Sequence, residues 1–268
     1  RGYQRTEFRW LKTLHACGFG GILADDMGLG KTVQAIAVLY DTAMKEPGQT
    51  SLIVCPASLV YNWECEIRRF APSLKVLTAV GTAGEREEKL RHLKEYDVAI
   101  TSYDLLKRDL EQYRETVFRF QILDEAQYIK NPLTQAARAA KAVRSQTRYA
   151  LTGTPVENRL SELWSIFDWL MPGFLGSYAR FRKRYELPAV RDGNAEAMED
   201  LQRLTRPFLL RRLKTDVLKD LPEKLETTVY SRMEGEQKKL YTASAWKLQE
   251  ELKEGGRMEI LAALTRLR

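Results

Sequence analysis

The chain has 268 residues, 44% hydrophobic and 29% charged, the balance of a water-soluble globular protein with room for one large core or two modest ones. No apolar run reaches the ~20 residues of a membrane span and no start resembles a signal peptide, so the expected setting is the cytoplasm, nucleus or nucleoid, while three cysteines, an odd number without metal-ligand spacing, read better as reduced thiols than as a metal site or disulfide framework. The excess of 43 Lys+Arg over 36 Asp+Glu, a formal charge of +7, fits either a polyanionic partner or a merely solvated basic face.

In chain order, short apolar runs alternate with longer amphipathic ones. Strands are expected at 21–25, 51–56, 75–80, 97–103, 118–126 and 148–154. Helices are expected at 31–46, 58–70, 85–95, 105–115 and through "TQAARAAKAVR". Strand and helix in strict alternation predict a doubly wound parallel sheet covered by helices on both faces. After Pro155 the pattern turns helical to about Leu210, with no strand predicted there. Within that stretch Trp164 and Trp169, at helical spacing, read as core. Residues 206–224 are basic, 225–233 alternate like a strand, and a long helix starts near Glu236.

Two motifs carry the chemistry. In "LADDMGLGKT" a strand leads through Gly28, Leu29 and Gly30 to Lys31 and Thr32 at a helix start. Backbone N–H groups of such a loop, with the helix N-terminus, bind phosphate oxygens. Lys31 would reach the outer phosphates and the Thr32 hydroxyl would ligate Mg²⁺. The glycine that opens the longer phosphate-loop pattern is replaced by Asp25. In "FQILDEAQ" a buried strand ends in Asp124 and Glu125, where the ligand crevice of an open parallel sheet lies. Asp124 would hold the metal through water and Glu125 would orient the attacking water.

With "LTGTP" and "FLLRRLKTDV" following in order, the chain resembles the Swi/Snf-type ATPases of helicase superfamily two, double-stranded-DNA translocases and remodellers with two RecA-like lobes. The resemblance implies an ATP-binding lobe that uses ATP and Mg²⁺. Gln4 would read adenine. Ser58, Asn62, Thr101 and Ser102, at strand ends, would make sequence-independent contacts to the DNA backbone, although each taken singly is more often a helix cap. Gln127, Thr152, Gly153 and Thr154, with Arg211 and Arg212, would couple this lobe to a second. The basic cluster Arg211, Arg212 and Lys214 is equally readable as a solvated face. Asp25 and Asp26 would repel a triphosphate, so they are expected to turn away and accept N–H bonds that hold the loop. The other reading sends one of them to the metal shell.

The resemblance divides the chain into lobe one at 1–157, a helical insertion packed on it at 158–205, and a basic linker with the start of the second lobe at 206–268. The second RecA-like sheet itself, with its arginine finger, is not expected within these residues. A monomer acting on DNA, and on a protein moved along or off it, is the expected setting. The alternative is a nucleotide-binding regulatory module that does no mechanical work.

Overall fold

The computed structural model describes residues 2–153, 159–191, 194–217 and 234–254. They belong to two compact units, Arg1–Lys219 and Asp220–Arg268. The first unit opens with helix α1 (Gly2–Ala16). Strands β1 (Gly21–Leu23), β2 (Ser51–Cys55), β3 (Val76–Thr78), β4 (Val98–Ser102), β5 (Val117–Asp124) and β6 (Arg144–Leu151) then alternate with helices α2 (Lys31–Lys45), α3 (Val60–Phe70), α4 (Ala83–Arg91), the pair α5 (Tyr103–Arg108) and α6 (Leu110–Arg114), and α7 (Gln135–Ala142). A helical region follows: α8 (Leu160–Leu170), α9 (Tyr178–Phe181), α10 (Leu187–Arg191) and α11 (Ala195–Thr205). The chain then returns through β7 (Leu209–Leu210) and α12 (Lys214–Val217). In the second unit the described residues form one helix, α13 (Gly235–Glu254); the strand expected at 225–233 lies outside the described residues.

The sheet is parallel throughout, in the order β3-β4-β2-β5-β6-β1-β7, as the alternation predicts. Its central strands are continuous apolar runs because both faces are covered. Period-two alternation divides their side chains. Leu52, Val54, Ala99 and Phe118 join a cluster built with α5 to α8. Ile53, Cys55, Ile100 and Phe120 join one built with α1, α2 and α3. Trp164 and Trp169 are buried in the first cluster, as expected. Hydroxyl and amide caps start the helices: Thr82 forms a reciprocal capping box with Glu85, and Thr134 and Asn194 cap α7 and α11. Among the described residues no helix is long and apolar enough to cross a membrane.

Three features depart from the sequence reading. The helix expected at 105–115 is broken at Asp109, whose carboxylate is held bidentately by the buried Arg86 at 2.6 and 2.8 Å rather than continuing a solvated turn. Leu209 and Leu210, in a stretch without a predicted strand, pair with Ile22 and Leu23 as a seventh strand. That pairing keeps residues 206–217 inside the first unit, whose boundary is Lys219, beyond the division expected at 205. Trp10 adds to it by donating to Pro207 O at 3.0 Å.

Candidate nucleotide site at the sheet's carboxyl edge

The loop between β1 and α2 turns on two left-handed glycines, Gly28 (φ 86°) and Gly30 (φ 89°). A Cβ on Gly30 would sit 2.8 Å from Gln4 Nε2, whose side chain would have to shift, and the left-handed φ itself strains any other residue there. Gly30 is also the N-cap of α2 and offers no cap bond. The first N–H groups of a 15-residue helix are therefore left for an anion. The Leu29 side chain is buried. Its carbonyl accepts from Tyr3 OH at 3.1 Å and its N–H donates to Asp26 O at 3.3 Å, so Leu29 shapes the turn from within. Gln4 lies at one end of a cleft of about 510 Å³ whose walls include Phe8, Val33, Ala37 and Phe70.

Lys31 folds back on the loop, donating to Asp25 O at 2.6 Å and Asp26 O at 3.4 Å. Burial lowers its pKa, and four carboxylates, Glu125, Asp25, Asp124 and Asp26, oppose that shift. Thr32 follows it in the first turn of α2, half-buried. At the end of β5, Asp124 Oδ2 accepts from Trp63 Nε1 at 2.8 Å and Oδ1 from Glu125 N at 3.0 Å. Burial raises the Asp124 pKa, and the indole bond opposes this. Glu125 is the one non-glycine with positive φ (50°) among the described residues, a conformation costing about 1–3 kcal/mol that is characteristically held at functional sites. A relay then leads away from it. Gln127 Nε2 donates to Glu125 Oε2 at 2.7 Å, and Thr152 Oγ1 donates to Gln127 Oε1 at 2.9 Å. Gly153 lies against Met27 of the phosphate loop. Thr154 lies outside the described residues.

The acidic pair turns away from the loop's mouth, as expected, but its donors are not in the loop. Asp25 Oδ1 accepts from Arg212 N and Asp26 Oδ2 from Lys214 N, both at 2.9 Å. Ala24 N and Asp26 N donate to Leu210 O and Arg212 O at 2.7 and 3.1 Å. The β1–β7 pairing thus runs on through the two aspartates, and the motif before the glycines docks the basic segment.

The Arg212 guanidinium lies 2.7 Å from Glu7 Oε1 and over the Tyr3 ring, at 5.9 Å from its centroid. Arg211 stays exposed. Glu7 is 0% exposed, and its pKa is pushed up to about 8, by burial first and then by the Asp25 carboxyl beside it. Burial also raises Asp25, against the pull of Glu7, Arg212 and Lys31. The pair therefore shares one proton near neutrality. Asp25, with the Arg212 N–H and nearby Lys31, is the better anion, and Glu7 is the acid that donates to it.

Two of the four residues expected to meet nucleic acid are buried. Thr101, on β4, is 0% exposed. Ser102 is 2% exposed and caps α5 by accepting from Leu105 N at 3.3 Å. Ser58, in the turn just before α3, and Asn62, in its first turn, are exposed. The sequence reading missed Trp63 and Glu7. Trp63 stands in "LVYNWECEI", the stretch that leads into α3. Glu7 had a signal: with Leu11 and Leu14 it occupies positions i, i+4 and i+7, a carboxyl on the buried face of a helix.

The SNF2-related domain model matches residues 3–268. An uncharacterised ATP-dependent helicase of Mycoplasma genitalium is 39% identical over 272 residues, covering 100% of this chain and 26% of the relative. A putative ATP-dependent helicase/translocase of Bacillus subtilis is 44% identical over 247 residues, covering 90% and 27%. Among solved structures, the Sulfolobus solfataricus SWI2/SNF2 ATPase core in complex with dsDNA superposes with a TM-score of 0.76 at 39% identity, covering 100% of this chain and 57% of that one. The chain spans about a quarter of the length of these two relatives, and its fold is the RecA-like α/β fold of that core.

Proposed function

The chain belongs to the SNF2-related family, and we propose that it is the ATP-binding lobe of an ATP-dependent double-stranded-DNA translocase or remodeller, hydrolysing ATP once a second lobe completes the cleft. The observation that carries the reading is the meeting, at one sheet edge, of the uncapped α2 N-terminus, Lys31 and the Asp124–Glu125 pair.

The donor set fits Mg²⁺. Thr32 and Asp124 offer hard oxygen ligands, and among the described residues no cluster of three His, Cys, Asp or Glu forms a closed metal cage, so triphosphate oxygens and water have room in the shell. Bound there, the ion would neutralise charge on the outer phosphates. The α2 N-terminal amides would hold the phosphates, and Lys31 would exchange its two carbonyl partners for a phosphate oxygen. Glu125, held at positive φ, would orient the attacking water, and Gln127 and Thr152 would transmit its position. Gln4, with the adjoining cleft, would select adenine. Ser58 and Asn62, exposed just before α3 and in its first turn, would meet the DNA backbone. The SWI2/SNF2 core described in complex with dsDNA supports a duplex as the partner; a protein moved along that duplex completes the proposal.

The test is ATP turnover by the longer protein that carries both lobes. Duplex DNA should stimulate it, and Glu125→Gln should abolish turnover while leaving ATP bound. Turnover that ignores DNA, or survives Glu125→Gln, would favour a regulatory nucleotide-binding module or move the water-orienting role elsewhere.

A further inference from the structure

Trp63 stands in the first turn of α3, 1% exposed. A buried indole N–H needs an acceptor, and here the acceptor is Asp124 Oδ2, 2.8 Å away. The other carboxylate oxygen takes the N–H of Glu125 at 3.0 Å, and the Asp124 carbonyl takes Tyr103 OH at 2.8 Å. Tyr103 in turn stacks on Tyr128, with centroids 4.8 Å apart and planes 5° from parallel. Asp124 is thus pinned at three oxygens by two aromatic side chains and its own neighbour.

The torsion that turns a carboxylate about its last bond is broad and has no staggered wells. Packing alone does not fix it, whereas a donor on each oxygen does. Each oxygen keeps a further lone pair for a ligand. A phenylalanine would fill most of that space in the α3 cluster with Val60 and Ile67 but supply no donor, so the polar bond adds orientation to burial.

We infer that Trp63 is a positioning residue for the metal-bound nucleotide, its indole N–H fixing the orientation of the Asp124 carboxylate and tying it to the exposed start of α3. The inference rests on the proposed reading of Asp124 as the metal-side carboxylate. It adds a route between sites: Asn62, adjacent in sequence, is exposed, so a load on the first turn of this 11-residue helix reaches the carboxylate through one side chain.

The test compares ADP affinity with Mg²⁺ and with EDTA, by calorimetry, in the wild type, Trp63→Phe and Asp124→Asn. Trp63→Phe should leave the affinity in EDTA unchanged and cut the gain conferred by Mg²⁺ about 10-fold or more, the cost usual for removing a partner of a metal-side ligand. A role in packing alone would weaken both affinities together or neither, and either pattern overturns the inference. If the gain survives Asp124→Asn, the reading of Asp124 itself fails. If it is lost in Asp124→Asn and kept in Trp63→Phe, only the role of Trp63 fails. Should Trp63→Phe not fold, the indole N–H resonance of Trp63 in the wild type decides. It should shift with ADP and Mg²⁺ but not with ADP and EDTA, and a resonance indifferent to the metal overturns the inference.

Discussion

Glu7→Gln is the perturbation that most sharply tests the buried junction of α1, the phosphate loop and the returning segment. Glu7 is fully buried, beside Asp25 and 2.7 Å from the Arg212 guanidinium. Its pKa is raised from 4.5 to about 8, so at neutral pH the native state holds a proton that the unfolded chain has released. Stability from this source is fully present below about pH 4.5, is lost as pH rises toward 8, and is absent above. Between pH 6 and 9 the wild type should lose about 3 kcal/mol on this account, taken at about 1.4 kcal/mol for each of the two pH units, 6 to 8, over which the extra proton is held. For a unit of this size that is about 6–12 °C in Tm. Glutamine copies the protonated acid: its amide donates to Asp25 and its carbonyl accepts from Arg212. The variant should match the wild type near pH 6 and escape the loss at pH 9. The assay is thermal unfolding of both proteins at the two pH values, in which every other titrating group cancels between them. Parallel losses, or a Glu7→Gln protein already destabilised at pH 6, would refute the reasoning, because then Glu7 acts as an anion for Arg212.

Asp26→Ala removes the acceptor of the Lys214 N–H, a charge-assisted bond worth about 1.5–3 kcal/mol. Amide exchange at Lys214 should accelerate accordingly, while amides of β2 and β5 keep their protection. Thr101→Val, at a fully buried position, should leave duplex affinity unchanged. Asn62→Ala, at an exposed one, should weaken it, and the opposite pattern in a DNA-binding titration would reverse the assignment of the DNA-facing edge.

Much of the fold was legible because a parallel sheet buries both faces of each strand. Runs such as "LIVC" and "VAIT" then stand out between amphipathic helices, and the strand ends locate the site. Lys31, Asp124 and Glu125 were legible for the same reason, since each follows a strand at a fixed offset. Two-residue β7 was not, because Leu209–Leu210 carries no period of its own and becomes a strand only when β1 offers an edge. The burial of Thr101 and Ser102 was not legible, because strand ends carry both exposed and inward-facing hydroxyls, and only the pleat decides between them. The acidic pair was half legible. Repulsion from phosphate said that it must turn away, but not that its N–H donors stand at positions 212 and 214, more than 180 residues along the chain. The Arg212–Glu7 contact was not legible either, because a basic run does not announce a buried Glu7 beside one of its members.

The central claim is a nucleotide site built on Lys31 and the uncapped start of α2, and calorimetric titration of ADP with Mg²⁺ into the wild type and Lys31→Ala tests it most directly. The account predicts measurable binding by the wild type and loss of most of it in Lys31→Ala, with the Tm of the variant free of ligand unchanged. Equal affinity in the two proteins would contradict it and place the nucleotide elsewhere.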